Sequence, residues 1–150
     1  MAGVNVINLG CGLVPLAGAV NHDIRYHSPH VDAAWNLNNI PWPWMAETFD
    51  EIYAYDLVEH LNSFMEFFDE AWRILKPQGT CTVRVPRYDA ANVIIDPTHK
   101  RGYHRDCFQY LDPTTYWGEM YARVYTDRHW KLIGIDDQLN ITAQLQKVGS

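Results

Sequence analysis

Residues Val4-Asn5-Val6-Ile7-Asn8-Leu9 form a short β-branched run that stops at Gly10-Cys11-Gly12, the pattern of a buried strand ending in a glycine turn. Two more short strands are predicted at 19–24 and 31–35, a fourth at 51–54, and a fifth at 80–85, where β-propensity is clear. One helix is strongly marked. Ser63 and Glu66 make a capping-box pair, and Phe64, Phe67, Phe68, Ala71, Trp72 and Leu75 then fall on one face at helical spacing. Lys76-Pro77-Gln78-Gly79 ends it with a basic residue, a breaker and a glycine. Core packing against a sheet accounts for this aromatic stripe. Residues 86–118 carry Pro86, Pro97 and Pro113 and little periodicity, which predicts a long inserted segment with one helix near 105–111, of the kind used as a substrate lid or left disordered. Residues 129–136 and 140–147 read as a closing antiparallel hairpin.

This order of elements predicts an α/β fold, a mostly parallel sheet with a C-terminal antiparallel hairpin. The links 12–18 and 25–30 are shorter than the roughly dozen residues a helical crossover between parallel strands needs. The helix complement is therefore expected to be reduced, with one face of the first three strands bare. Segment 86–118 or a second copy of the chain is expected to cover that face, because bare apolar sheet does not stay in water.

A length of 150 residues sets a single domain, and a hydrophobic fraction of 47% is enough for a buried core. No apolar run approaches the roughly 20 residues that span a bilayer, and residues 1–9 lack the features of a signal peptide, so a cytoplasmic location is expected. Whether the terminal Gly149-Ser150 is native is open. Cys11, Cys81 and Cys107 make no Cys-x-x-Cys pair and read as free thiols. A net charge of −6 argues against a partner that is nucleic-acid backbone. The one basic cluster, Arg84, Arg87, Lys100, Arg101 and Arg105, is interleaved with Asp89, Asp96 and Asp106 and reads as mixed-charge surface.

Candidate chemistry gathers at the carboxyl ends of the predicted strands. Gly10 and Gly12 would let backbone approach a ligand closely, and Asp23, at the end of the second strand, could accept both hydroxyls of a ribose. Asn36 and Leu37 follow the third strand and offer an amide and an apolar surface to an adenine, although a turn explains the local asparagines equally well. The fourth strand ends at Tyr55-Asp56. In an open α/β sheet these four points converge on one crevice of adenosine size.

The chain resembles a small class I S-adenosylmethionine-dependent methyltransferase, methyltransferase type 11-like, of the kind common in bacterial and phage genomes. The resemblance is carried by Ile7-Asn8-Leu9-Gly10-Cys11-Gly12, by residues 15–23, by Asn36-Leu37 with Ile40-Pro41-Trp42-Pro43-Trp44, by residues 49–61, by Trp72-Arg73-Ile74-Leu75-Lys76-Pro77-Gln78-Gly79, by Asp96-Pro97-Thr98-His99 and by residues 125–131. It implies a Rossmann-like sheet with S-adenosylmethionine as cofactor. Gly10, Cys11 and Gly12 would line its methionine end, Asp23 its ribose, Asn36 and Leu37 its adenine, and Ala54 and Tyr55 its sulfonium. The chain departs from the pattern at Asn8, where an acid is usual, at Asn36, where aspartate is frequent, in the missing third glycine of the loop, and at Gln78 in place of glycine.

Methyl transfer from a sulfonium needs alignment above all, and a base only where the acceptor must lose a proton. Asp56, Glu59, His60, Asp96, His99 and His104 are the candidate bases; His99, on the expected lid, comes first, followed by Asp56 and His60. Asp96, His99, His104 and Cys107 match no zinc signature, so no metal is expected. An Asn/Asp-Pro-Pro-aromatic motif and a Pro-Cys dipeptide are both missing, which disfavours DNA modification and leaves a small-molecule, sugar, lipid-precursor or protein acceptor. Trp35, Trp42, Trp44, Tyr88, Tyr103, Tyr116 and Trp117 could stack on it, although packing accounts for most of them. A nicotinamide-dependent oxidoreductase is disfavoured by the short glycine loop with no helix pattern behind it. A module that holds S-adenosylmethionine or S-adenosylhomocysteine without turnover is the alternative reading.

Overall fold

The computed structural model describes residues 3–149; Met1, Ala2 and Ser150, half of the terminal pair, lie outside the described residues. The strands are β1 (Val6–Leu9), β2 (Ala19–Asp23), β3 (Ala33–Ala34), β4 (Phe49–Tyr55), β5 (Leu75–Pro86), β6 (Trp130–Asp137) and β7 (Asn140–Lys147). They form one sheet in the order β3-β2-β1-β4-β5-β7-β6. The first five are parallel, and β7 pairs antiparallel with both β5 and β6. The helices are α1 (Phe64–Ile74), the single turn α2 (Asn92–Ile95) and α3 (Tyr116–Tyr125), with 3-10 turns at Val58–His60 and Arg105–Leu111.

Register explains why the sheet is stable with so few helices. Ile7 lies opposite Ile52, Ile52 opposite Cys81, and Cys81 opposite Leu145; Leu9, Ala54, Val83 and Ala143 make the next row. All eight are at most 1% exposed, so one face of the sheet is continuous hydrocarbon. On α1, Ser63 Oγ accepts the Glu66 N–H as N-cap, and Phe67, Phe68, Ala71 and Ile74 are buried in the same core cluster. Segment 86–118 joins this side as well. Tyr103 and Phe108 are buried, with their rings 5.6 Å from that of Phe64.

The opposite face carries Asn8, Tyr53, Thr82 and Gln144 in one row, and Tyr55, Arg84 and Thr142 in another. This corrects one expectation. Segment 86–118 packs beside α1 rather than over the helix-free face. That face is polar, so the physical reason for requiring a cover falls away. Residues 10–18 and 24–32 contain turns and no helix, as their length predicts.

Other differences are local. The third strand shrinks to Ala33–Ala34, the only residues there that pair with β2. The fifth begins earlier, at Leu75 opposite Phe49, with 76–79 looping out before Thr80 meets Glu51. Helix α3 lies in a stretch the hydrophobic pattern left unassigned. Thr115 caps it by accepting the Gly118 N–H, and the rings of Tyr110, Tyr121 and Tyr125 then stack along its surface. The three cysteines are free. Arg84 pairs with Asp56, and Arg87 with Asp89 and Asp137, so the basic cluster is partly neutralised within the chain. No described helix is long and apolar enough to cross a membrane.

Glu70 ties α1 to the loop that precedes β4. Its carboxylate accepts the Trp42 N–H at 2.6 Å and the Arg73 guanidinium at 2.8 and 2.9 Å, and Arg73 also donates to the Trp42 and Trp44 carbonyls. Burial opposes its ionisation, but the Arg73 and Trp42 bonds outweigh that and hold the carboxyl below its ordinary range. Glu70→Gln should therefore cost about 1–3 kcal/mol in denaturant unfolding at neutral pH. A lowered folded-state value means the contribution is complete above the unfolded-state value of about 4.3 and fades as pH falls through the folded one. The gap between wild type and variant should narrow only below about pH 4.

Candidate functional site

The site grows from the end of β1. Gly10 (φ +66°) and Gly12 (φ +52°) both take the left-handed conformation that reverses the chain after Leu9. Asn8 fastens the loop that follows. Its side-chain amide donates to Asn21 Oδ1 at 3.0 Å and to the Val14 carbonyl, while Asn21 exchanges bonds with the backbone of Leu16. An acid at position 8 could accept but not donate, so asparagine here serves the loop.

A pocket of about 460 Å³ lies at the carboxyl ends of β1, β2 and β4. Gly10, Gly12, Asp23, Asn36, Leu37, Asp56 and His60 all line it, with His22, Trp35 and Thr98. Asp23 Oδ2 accepts the Gly12 N–H at 2.8 Å, and His27 Nε2 lies 3.2 Å away. Burial works against the Asp23 charge, yet the Ile24, His27 and Gly12 bonds hold the carboxyl below its usual range, so it is an anion at neutral pH.

The remaining sequence candidates lie elsewhere. Cys11 and Tyr55 line a neighbouring cleft of about 820 Å³ on the polar face, which shares Gly10, Gly12 and Asp56 with the pocket. Ala54 is fully buried in the core row and meets the pocket with no side-chain surface. Asp56 is held by Arg84, which donates to both of its oxygens. His99 sits behind His60, its side chain 7% exposed, with the two ring centroids 4.7 Å apart. His60 rather than His99 therefore presents an imidazole to the pocket. Burial, then the neighbouring His99, lowers the His60 pKa, which favours the neutral ring.

His22 is a pocket residue that the sequence pattern does not mark, since it occupies a buried strand position like any core residue. The Gly10 N–H donates to His22 Nδ1 at 3.3 Å, and Nε2 lies 2.8 Å from the Trp35 carbonyl, which requires the Nε2–H tautomer. Burial lowers its pKa and keeps it neutral. His22 thus links the glycine turn to the loop that bears Asn36. Of the aromatic candidates, Trp35 lines the pocket, whereas Trp42 is buried and Trp44 packs against the core.

A family model for the methyltransferase domain matches residues 34–83. Among solved structures, a SAM-dependent methyltransferase from Archaeoglobus fulgidus is 13% identical, with a TM-score of 0.64 over 96% of this chain and 86% of that one. One from Thermotoga maritima is 13% identical, with a TM-score of 0.66 over 98% and 84%. The [4+2]-cyclase SpnF is equally similar at TM-score 0.64 and 13% identity, over 98% of this chain and 76% of its own. No curated protein matches the chain in sequence. The solved structures show that the chain has the fold of class I methyltransferases, and the methyltransferase-domain match covers 34–83 of its 150 residues.

The two glycines offer a test of the turn. A Cβ on Gly10 would meet the Leu57 side chain at 3.0–3.3 Å, whereas one on Gly12 would meet nothing within 4 Å. Each alanine variant should lose about 1–2 kcal/mol from the left-handed backbone alone. Gly10→Ala should lose about 1–3 kcal/mol more through overpacking against Leu57, measured by urea unfolding.

Proposed function

We propose that the chain transfers the methyl group of S-adenosylmethionine to a small-molecule, sugar or protein acceptor. The observation that carries this reading is the convergence of Gly10, Gly12, Asp23, Asn36 and Leu37 on one pocket at the strand ends. In this reading Asp23 accepts the ribose hydroxyls, Asn36 and Leu37 meet the adenine, and the turn at Gly10 and Gly12 supports the methionine end. In the same reading Cys11 and Tyr55 bear on the cofactor from the adjoining cleft, and Ala54 supports the strand end from the core.

The cofactor supplies the reactive methyl, and the chain orients it and excludes water. Where the acceptor must lose a proton, His60 is the group placed to receive it. Thr98 Oγ1 donates to Asp96 Oδ1 at 2.7 Å, so at 2.9 Å from His60 Nδ1 it can only accept. The proton of the neutral ring is therefore on Nδ1, and Nε2 keeps its lone pair. Asp96, Thr98 and His99 position this imidazole, and Asp56 orients Arg84.

Calorimetric titration with S-adenosylmethionine and S-adenosylhomocysteine, with NAD as control, tests the reading. Both sulfur compounds should bind and NAD should not. Asp23→Ala removes charge-assisted bonds worth about 1.5–3 kcal/mol each and should weaken binding at least about tenfold. Absence of binding by either sulfur compound would overturn the assignment.

A further inference from the structure

Behind the pocket wall lies a cluster the methyl-transfer reading leaves unexplained. Glu59 is 1% exposed, its Oε2 has no hydrogen-bond partner, and its Oε1 lies 3.8 Å from His99 Nε2. His99 is enclosed too; its Nε2 also lies 3.3 Å from Asp96 Oδ2, and its Nδ1 has no hydrogen-bond partner. A buried carboxylate normally has donors on both oxygens, because an unmatched one costs several kcal/mol, on the order of the penalty for a lost charged hydrogen bond. One donor atom each from Glu59, His60 and His99 lies within 4.8 Å of the others.

We propose that Glu59, His60 and His99 form a binding site for a first-row divalent transition metal, open toward the ligand pocket. Two imidazoles with one carboxylate are a donor set that suits zinc, iron or cobalt, and three protein ligands leave coordination positions free. The surroundings are arranged as metal-ligating histidines require. The Asp96–Thr98–His60 chain fixes the proton on His60 Nδ1 and turns the Nε2 lone pair free, the outer-shell orientation that sets a ligand tautomer. The Lys100 N–H donates to the Glu59 carbonyl at 2.8 Å, which joins the two chain segments at the cluster, and the His99 N–H donates to the Asp96 carbonyl at 3.2 Å, which closes the turn that carries His99. A cation would supply the partner that Glu59 lacks. Magnesium is a poor fit, because it favours oxygen ligands in an octahedral shell.

His60 and Thr98 line the pocket and Glu59 and His99 do not, so a cation held here would meet an acceptor on the His60 side of the cluster. Resting on the methyl-transfer reading, the site would then take an oxygen of the acceptor, which singles out a hydroxyl-bearing molecule. With the cation bound, the His60 lone pair is a ligand rather than a base. The sequence hides this set, since residues 59–60 and 99 belong to different segments and match no ligand spacing.

The test is direct metal binding by the chain after treatment with a chelator. Titration with Zn²⁺ or Co²⁺ should show one equivalent bound, Co²⁺ with visible absorption bands of a nitrogen-ligated ion, and Mg²⁺ should bind at least about 100-fold more weakly. Glu59→Gln, nearly isosteric, should weaken Zn²⁺ by about 100-fold or more, and Thr98→Val by about 10-fold through the loosened His60 ring. His104→Ala, at an exposed histidine, should leave binding unchanged. In NMR of the wild-type chain, Co²⁺ should give two of the seven histidine rings the large contact shifts of direct ligation, a readout that needs no variant to fold. No stoichiometric binding, or binding that Glu59→Gln leaves intact, would overturn the site. Binding of S-adenosylhomocysteine to the same metal-free sample separates that outcome from failure of the methyl-transfer reading.

Discussion

The row of facing apolar residues from Ile7 through Ile52 and Cys81 to Leu145 is what the rest of the molecule leans on. Because side chains alternate along a strand, placing hydrocarbon on one face commits the next residue of each strand to the other. Here those next residues are asparagine, tyrosine, threonine and glutamine. One layer of α1, α3 and the Arg105–Leu111 turn therefore closes the core, and the chain folds without helices between its first three strands. A slip of one residue in β4 would turn Glu51 and Tyr53 inward and bring Ile52 into water.

The pocket follows from the same topology. Strand β1 has β2 on one side and β4 on the other, so the connections leave its carboxyl end in opposite directions and part there. Gly10 and Gly12 turn back toward β2, while Leu57 and the Val58–His60 turn lead away toward α1. Asp23, His22 and His60 meet across the gap. The polar bonds around it are short-range and interlocked. Asn8 holds the loop through Asn21, His22 holds Gly10, and Thr98 holds His60 from segment 86–118.

Much of this was legible in the residues. Strand positions, the capping box at Ser63, the hairpin and the thin helix complement all follow from period, turn chemistry and link length. Helix α3 was not, because its buried positions, Gly118 and Ala122, are too small to raise a hydrophobic period, while its large aromatic rings face solvent. Side-chain partners were also hidden. Asp56 looks like a free acid after β4, but Arg84 from the adjacent strand claims it. His99 looks exposed on a lid, but it is enclosed behind His60. Ala54 and Tyr55 are neighbours in sequence that a strand sends to opposite faces. Such facts depend on contacts between distant segments, which no local pattern encodes.

The absence of a helix between β1 and β2 has an electrostatic consequence. In dinucleotide-type folds the loop after the first strand feeds a helix whose N-terminus lends partial positive charge to the bound ligand. Residues 10–18 of this chain form only turns, so no such dipole ends there. A bound amino acid's carboxylate would have to find its stabilisation in individual backbone N–H groups and in a side-chain cation such as Arg84, which lines the adjoining cleft. That charge is half-exposed and shared with Asp56. Affinity at that end of the pocket is thus built from screened, surface-type interactions, and ionic strength becomes a lever on occupancy.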